Sequence, residues 1–193
     1  MSVPASGRAV AISRFLARHL RHRPAAIGLV LDPAGWADVD ALLAAAARHG
    51  TPFTRAELDA VVAADAKGRY AFDAAGRRVR ANQGHSVPVE LDLPVVAPPP
   101  VLFHGTVERF LPAILRDGLL PMGRHAVHLS PDRETAERVG ARRGRPVVLA
   151  PVVLAVDAAG AAAAGHAFGV SANGVWLVAA VPPRFLARLP DQR

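Results

Sequence analysis

The 193-residue chain has no cysteine. That excludes disulfides and thiolate chemistry, leaves a structural zinc only His and carboxylate ligands, and points to a reducing compartment such as the cytoplasm. The eight histidines show no H-x-x-x-H or H-x-x-E-H spacing, so no metal site is expected. No apolar run has the length of a membrane span, and no hydrophobic signal core follows the first Met, so no membrane partner is expected. The G-x-G-x-x-G fingerprint of dinucleotide-binding βαβ units is missing. Lysine is almost absent: Lys67 stands alone among 23 basic residues. Acidic residues are absent before Asp32, although Arg8, Arg14, Arg18, Arg21 and Arg23 all fall in that stretch.

What remains is strongly basic. The net charge is +7, with twelve basic against nine acidic residues in 1–100 and eleven against seven in 101–193. The excess is spread over both halves, as expected of a polyanion-binding protein. Abundant alanine beside arginine is also the mark of a GC-rich coding bias, which lowers the weight of the arginine count. Arg14, Arg18 and Arg21 share one helical face, opposite Ile12, Phe15, Leu16 and Leu20, and Pro24 stops the helix. His22 sits at the rim of this stripe. Guanidiniums without local acids suit phosphate; the same pattern also fits a solvated surface helix.

The stretch from Val87 to Pro100 is rich in proline and reads as an extended connection. It divides the chain into a first lobe at 1–88, a linker at 89–100 and a second lobe at 101–193. In the first lobe the spacing predicts a helix from about Val10 to Arg23, a turn at Asp32–Gly35 and a core role for Trp36. A second helix is expected to be capped by Asp38 and to end at Gly50. A third opens with the capping box Thr54–Glu57. A hairpin follows, from Arg69 to Phe72 and from Arg77 to Ala81, with its turn at Asp73–Gly76. Three helices followed by a basic hairpin make a winged-helix arrangement. The second lobe reads as β-rich, giving an α+β class overall. Strands are expected at Val101–Phe103, Val127–Leu129, Val147–Val156 and Val175–Val181. Helices are expected around Phe110–Leu115 and from Asp132 to Val139. The alanine-rich 158–164 segment carries no motif.

Polar groups gather in three places. Lys67, Arg69, Arg80, Asn82, Gln83, His85 and Ser86 surround the hairpin and offer charge, amide and hydroxyl donors suited to phosphate and sugar. His104-Gly105-Thr106 is expected at a strand end, where glycine admits a ligand close to the backbone. His128-Leu129-Ser130-Pro131-Asp132 is a second strand end, and Arg124 lies on the glycine-containing loop before it. A lone strand histidine is more often a core residue than a catalyst. Two such ends together with Asn173-Gly174-Val175-Trp176 favour a composite pocket.

Taken in order, Leu20-Arg21-His22, Ile27-Gly28-Leu29, Gly35-Trp36, Lys67-Gly68-Arg69-Tyr70, Arg80 to Ser86, Phe103 to Thr106, Val127 to Ser130 and Asn173 to Leu177 resemble the RNA 2′-phosphotransferase (Tpt1/KptA) family. The likeness runs from about Ser13 to Phe185. It implies a winged-helix RNA lobe and a lobe like ADP-ribosyltransferases. It further implies NAD+ as a consumed co-substrate without a metal, and an RNA bearing an internal 2′-phosphate, as at a spliced tRNA junction. The route it implies runs through an ADP-ribosylated RNA 2′-phosphate to RNA 2′-OH, nicotinamide and ADP-ribose 1″,2″-cyclic phosphate. Its catalytic set maps onto Arg21, His22, Arg69 and Arg124. RNA contacts are expected at Arg18, Lys67, Arg80, Gln83, His85 and Ser86. NAD+ contacts are expected at His104, Gly105, Thr106, His128, Ser130 and Asp132. A monomer is expected.

Two positions depart from the usual pattern. Phe103 stands where a tyrosine is common, and Gly68 where a bulkier polar residue is common. Two other activities fit parts of the pattern. One is an ADP-ribosyltransferase that caps nucleic-acid terminal phosphates; the other is a non-enzymatic winged-helix DNA-binding protein.

Overall fold

A computed structural model describes residues 7–143 and 151–190. The chain is α+β, with three small antiparallel sheets among the described residues, and divides into two units, Met1–Asp92 and Leu93–Arg193.

In the first unit, α1 (Gly7–Arg21) buries Ile12, Leu16 and Leu20. It begins earlier than the apolar spacing suggests, which places Arg8 within its first turn. Arg8 Nε donates to Glu57 at 2.7 Å and its Nη2 to the Pro52 carbonyl at 2.7 Å. This arginine therefore has an acid partner distant in sequence. A 3-10 turn at Pro24–Ile27 follows and closes on Gly28 at φ 66. Strand β1 (Trp36–Asp38) runs into α2 (Val39–Arg48), whose first turn is capped by Asp38 through Ala41 N at 2.9 Å. Helix α3 (Arg55–Ala63) carries the Thr54–Glu57 capping box that its sequence predicts. Strands β2 (Tyr70–Phe72) and β3 (Arg78–Ala81) form the hairpin, and β1 pairs with β3 to give the order β1-β3-β2. Leu16, Leu20, Leu42, Leu58 and Val79 are fully buried at the centre.

Trp36 is only half-buried. Instead of filling the core, its ring is covered by the Arg80 guanidinium at 4.4 Å and the Arg78 guanidinium at 5.5 Å. A ring that takes cations on its face stays near the surface, where the exposed Arg78 keeps its water.

Glu57 joins α1 to α3. The bond from Arg8, then that from the Thr54 amide, holds its carboxyl at about 2 instead of the ordinary 4.5. A depressed pKa contributes stability above the unfolded value and loses it as pH falls towards the folded one. Glu57→Gln is therefore expected to flatten the decline in stability between pH 4.5 and 2, measured by urea unfolding at stepped pH.

In the second unit, β4 (Val101–Val107) leads through a 3-10 turn at Glu108–Phe110 into α4 (Leu111–Asp117), which ends at Gly118 with φ 85. Then come β5 (Val127–Leu129), α5 (Arg133–Arg143), β6 (Pro151–Asp157), α6 (Ala158–Ala163), β7 (Phe168–Val170), β8 (Trp176–Val178) and β9 (Leu186–Arg188). Two sheets result, β4-β6-β9 and β5-β8-β7, around Leu102, Leu129, Leu154, Val156, Phe168 and Val178. The first part of the long apolar strand expected at Val147–Val156 lies outside the described residues. The alanine run becomes α6 because Asp157 caps it at Gly160 N, 2.9 Å. The proline-rich segment is anchored at both ends. Glu90 N donates to Pro33 O within the first unit, and Val96 N to Phe168 O within the second.

Two expectations at the His104-Gly105-Thr106 triplet are corrected. The triplet does not end a strand; it is the middle of β4, paired with Leu154, Val153 and Val152 of β6. A Cβ on Gly105 would stand 1.7 Å from the Ala136 carbonyl oxygen. The close approach that glycine permits is thus made by α5 and not by a ligand.

Candidate active site

The C-terminal end of α1 gathers three of the four residues expected to be catalytic. The segment after β3 folds back onto this helix end. Ser86 N donates to the Arg21 carbonyl at 2.8 Å, and His22 Nδ1 lies 3.0 Å from Ser86 Oγ. Gly84, at φ 90, lets the chain pass close to Arg21: a Cβ there would be 3.5 Å from Arg21 Nη1. Arg21 and Arg69 each place a guanidinium carbon 5.8 Å from the Tyr70 ring centroid. Tyr70 itself is anchored by its hydroxyl, which donates to Ser13 O at 2.7 Å. One buried ring therefore sits against two guanidiniums, and α1 holds that ring. His22 is exposed at the rim.

Arg69 is fixed by Asp65. Its Nε and Nη2 reach Asp65 Oδ1 at 2.9 and 2.8 Å, and its amide donates to Asp65 Oδ2 at 2.5 Å. The Asp65 side chain is 3% exposed. Burial alone would push this carboxyl upward, but the Arg69 bonds outweigh it and the carboxyl titrates below its ordinary value. The same bonds raise Arg69 above the ordinary arginine value. Asn82 completes the support: its Nδ2 donates to Gly68 O at 2.6 Å, and its amide donates to Arg69 O at 2.8 Å. Asp65 and Tyr70 have no role in the sequence reading, and Asn82, read there as a donor for phosphate or sugar, instead bonds to the backbone beside Arg69. The available signal was Asp65, four residues before Arg69, on a turn rich in polar residues.

The residues expected to contact RNA separate into two groups. Arg18 and Lys67 are exposed, Gln83 is half-buried, and Ser86 is exposed with its hydroxyl on His22. His85 and Arg80 behave otherwise. His85 is fully buried beneath the Trp36 turn, and a Cβ on Gly35 would lie 3.3 Å from its Nε2. A ring with no accessible surface supports that turn and does not touch an RNA strand. Arg80 stacks on Trp36 and donates to the carbonyls of Ala34 and Leu91, each at 3.4 Å. Desolvation lowers its pKa. It braces the hairpin.

In the second unit, Phe103 and Ser130 exchange backbone hydrogen bonds at 2.9 and 2.8 Å, and this joins β4 to the end of β5. The bridge brings His104 beside His128: His104 Nδ1 lies 3.1 Å from His128 O, and His128 Nδ1 lies 3.0 Å from Ala126 O. A carbonyl opposite Nδ1 requires a proton there, so both rings are held with Nδ1 as donor. Ser130 is half-buried and accessible. Thr106, expected to line the same site, is fully buried, and its hydroxyl finds no partner among the described residues. Asp132 is exposed but engaged: it caps α5 through Thr135 N at 2.7 Å, a bond that lowers its pKa. Arg124 is exposed on a loop whose Met122 has φ 56. Asn173-Gly174 forms the turn of the β7–β8 hairpin, with Gly174 at φ 75.

Among the described residues, no group of three or more His, Asp or Glu side chains is placed to hold a metal ion. No helix among them is long and apolar enough to cross a membrane.

Comparison with known proteins agrees with the order of motifs. The model of the RNA 2′-phosphotransferase, Tpt1/KptA family matches residues 7–180. A "Probable RNA 2'-phosphotransferase" of Streptomyces coelicolor is 61% identical over 179 residues, covering 93% of this chain and 94% of the relative. A protein of the same name from Trichormus variabilis is 52% identical, covering 93% of this chain and 96% of its own. Another from Burkholderia pseudomallei is 52% identical over 90% of this chain and 92% of its own. With the family matched along nearly its whole length, the chain belongs to the Tpt1/KptA family of RNA 2′-phosphotransferases.

Proposed function

We propose that this transferase moves an internal RNA 2′-phosphate to NAD+ and leaves a 2′-hydroxyl on the RNA. The observation that carries this reading is the grouping of Arg21, His22 and Arg69 at one helix end, in a chain of this family. On this reading the first unit is a winged-helix RNA lobe at 1–88, and 101–193 is an ADP-ribosyltransferase-like lobe, joined through 89–100. The protein works as a cytoplasmic monomer.

Arg21 and Arg69 grip the RNA phosphate with planar forks that match its oxygens. Arg18, Lys67 and Gln83 flank the strand. His22, with Nδ1 facing Ser86, moves a proton at Nε2 as the RNA 2′-oxygen is released. Arg124 neutralises charge growing on the phosphoryl oxygens.

The donor set of the second unit fits NAD+. Two imidazoles with Nδ1 held as donor and the Ser130 hydroxyl suit ribose and phosphate oxygens. Asp132 would bond the adenosine ribose, and Gly105 would contribute only through its backbone. NAD+ supplies an electrophilic ribose carbon and a leaving group that departs neutral. Because the attacking phosphate is already ionised near neutral pH, the residues' work is to orient two anions and offset their repulsion.

The test is incubation with an oligonucleotide carrying one internal 2′-phosphate and NAD+. RNA 2′-OH, nicotinamide and ADP-ribose 1″,2″-cyclic phosphate are expected. Accumulation of ADP-ribosylated RNA without the cyclic phosphate would instead favour a terminal-phosphate capping enzyme. Salt-sensitive duplex binding that is indifferent to NAD+, with no product, would favour a DNA-binding protein. Arg124→Ala is expected to lower turnover about 10²-fold while RNA binding, followed by filter retention, persists.

A further inference from the structure

We infer that Asp65 is a positioning residue for Arg69: it decides which edge of the guanidinium meets the RNA phosphate. The inference rests on the proposed role of Arg69 and goes beyond it, because Asp65 itself touches neither RNA nor NAD+.

The geometry is specific. Arg69 presents its Nε–Nη2 edge to a single carboxylate oxygen, Oδ1, at 2.9 and 2.8 Å. The other oxygen takes the Arg69 amide, so the same carboxylate holds both the backbone and the tip of one residue. Lys67 N also approaches Oδ1, at 3.4 Å, which closes the turn between α3 and β2. With the Nε–Nη2 edge occupied, the Nη1–Nη2 edge faces away from Asp65. That is the end-on pair of donors, parallel and spaced to bind two phosphate oxygens.

Charge adds a second consequence. Asp65 is ionised at neutral pH and sits against Arg69, so the pair carries no net charge. Arg69 then attracts RNA only weakly as a point charge. Its value lies in direction, expressed when charge builds on the transferring phosphoryl group. Removing the Asp65 charge should leave ground-state binding intact or tighter while damaging the chemical step. A merely structural carboxylate would not divide kcat from KM in this way.

The experiment compares Asp65→Asn, Arg69→Ala and the double variant on the 2′-phosphorylated oligonucleotide. For Asp65→Asn, kcat is expected to fall about tenfold or more, with KM for RNA equal or lower. In the Arg69→Ala background the same change is expected to add no further loss, since Asp65 acts only through Arg69. If Asp65→Asn does not fold, Asp65→Glu carries the test. It keeps the charge but displaces the carboxylate, so kcat should again fall with KM held. An Asp65 variant with wild-type kcat, a loss confined to KM, or a full additional loss in the double variant would overturn the inference alone. Wild-type turnover by Arg69→Ala would overturn both this inference and the role of Arg69.

Discussion

Arg69→Ala is expected to slow the release of dephosphorylated RNA by about 10²-fold or more, the usual effect of removing a donor that meets developing charge. Single-turnover kinetics should assign most of the loss to the second step, where the phosphoryl oxygens gain charge. Arg69→Lys should do little better. A lysine ammonium is a compact point charge without a fork, and Asp65 stands ready to pair with it. The alanine variant also leaves a 3% exposed carboxylate without its cation, although the backbone amides of Lys67 and Arg69 still bond to it. A loss of roughly 1–3 kcal/mol in stability is expected from this orphaned group. Turnover is therefore to be measured well below the melting point of the variant. Near-normal second-step rates in folded Arg69→Ala would remove Arg69 from the site.

Gly105→Ala should be at least as damaging, through packing alone. The added methyl would lie 1.7 Å from Ala136 O and 2.9 Å from Gly140 N, both backbone atoms of α5 that no rotamer change can move aside. Either α5 lifts off β4 or the strand leaves its register with β6. Overpacking of this severity costs about 3 kcal/mol or more, a large share of the roughly 5–15 kcal/mol that holds a domain folded. The damage should centre on the second unit and be visible in the emission of Trp176. Gly123→Ala provides the contrast in the same unit: nothing lies within 4 Å of a Cβ there, and its stability should stay within about 0.5 kcal/mol of the parent. Equal melting temperatures for Gly105→Ala and the parent would show that this helix–strand approach is not required.

Features encoded by neighbouring residues were legible in the chain. The Asp38 cap, the Thr54–Glu57 box and the hairpin turn at Asp73–Gly76 each depend on side chains within a few positions of the backbone they serve. The grouping of Arg21, His22 and Arg69 was also within reach, through the family that their motifs resemble. What sequence did not reveal depends on pairing across long separations. Strand β4 continues through His104-Gly105-Thr106 because β6 lies beside it. Three short strands, β1, β7 and β9, exist chiefly through partners elsewhere and have too few residues to show an alternating pattern. Polar side chains were harder still. His85, Arg80 and Thr106 have the composition of ligand contacts, yet burial and stacking assign them to support. Arg8 looked unpaired only because its acid lies 49 residues away.

The scarcity of lysine has a practical meaning beside the Asp65 turn. Lys67 is exposed two residues before Arg69, and it is the only lysine in the chain. An amine-directed dye therefore has one side-chain target, held next to the proposed phosphate grip on a loop of known geometry. Its polarisation would report when RNA arrives, with no cysteine to engineer in and no other lysine to remove.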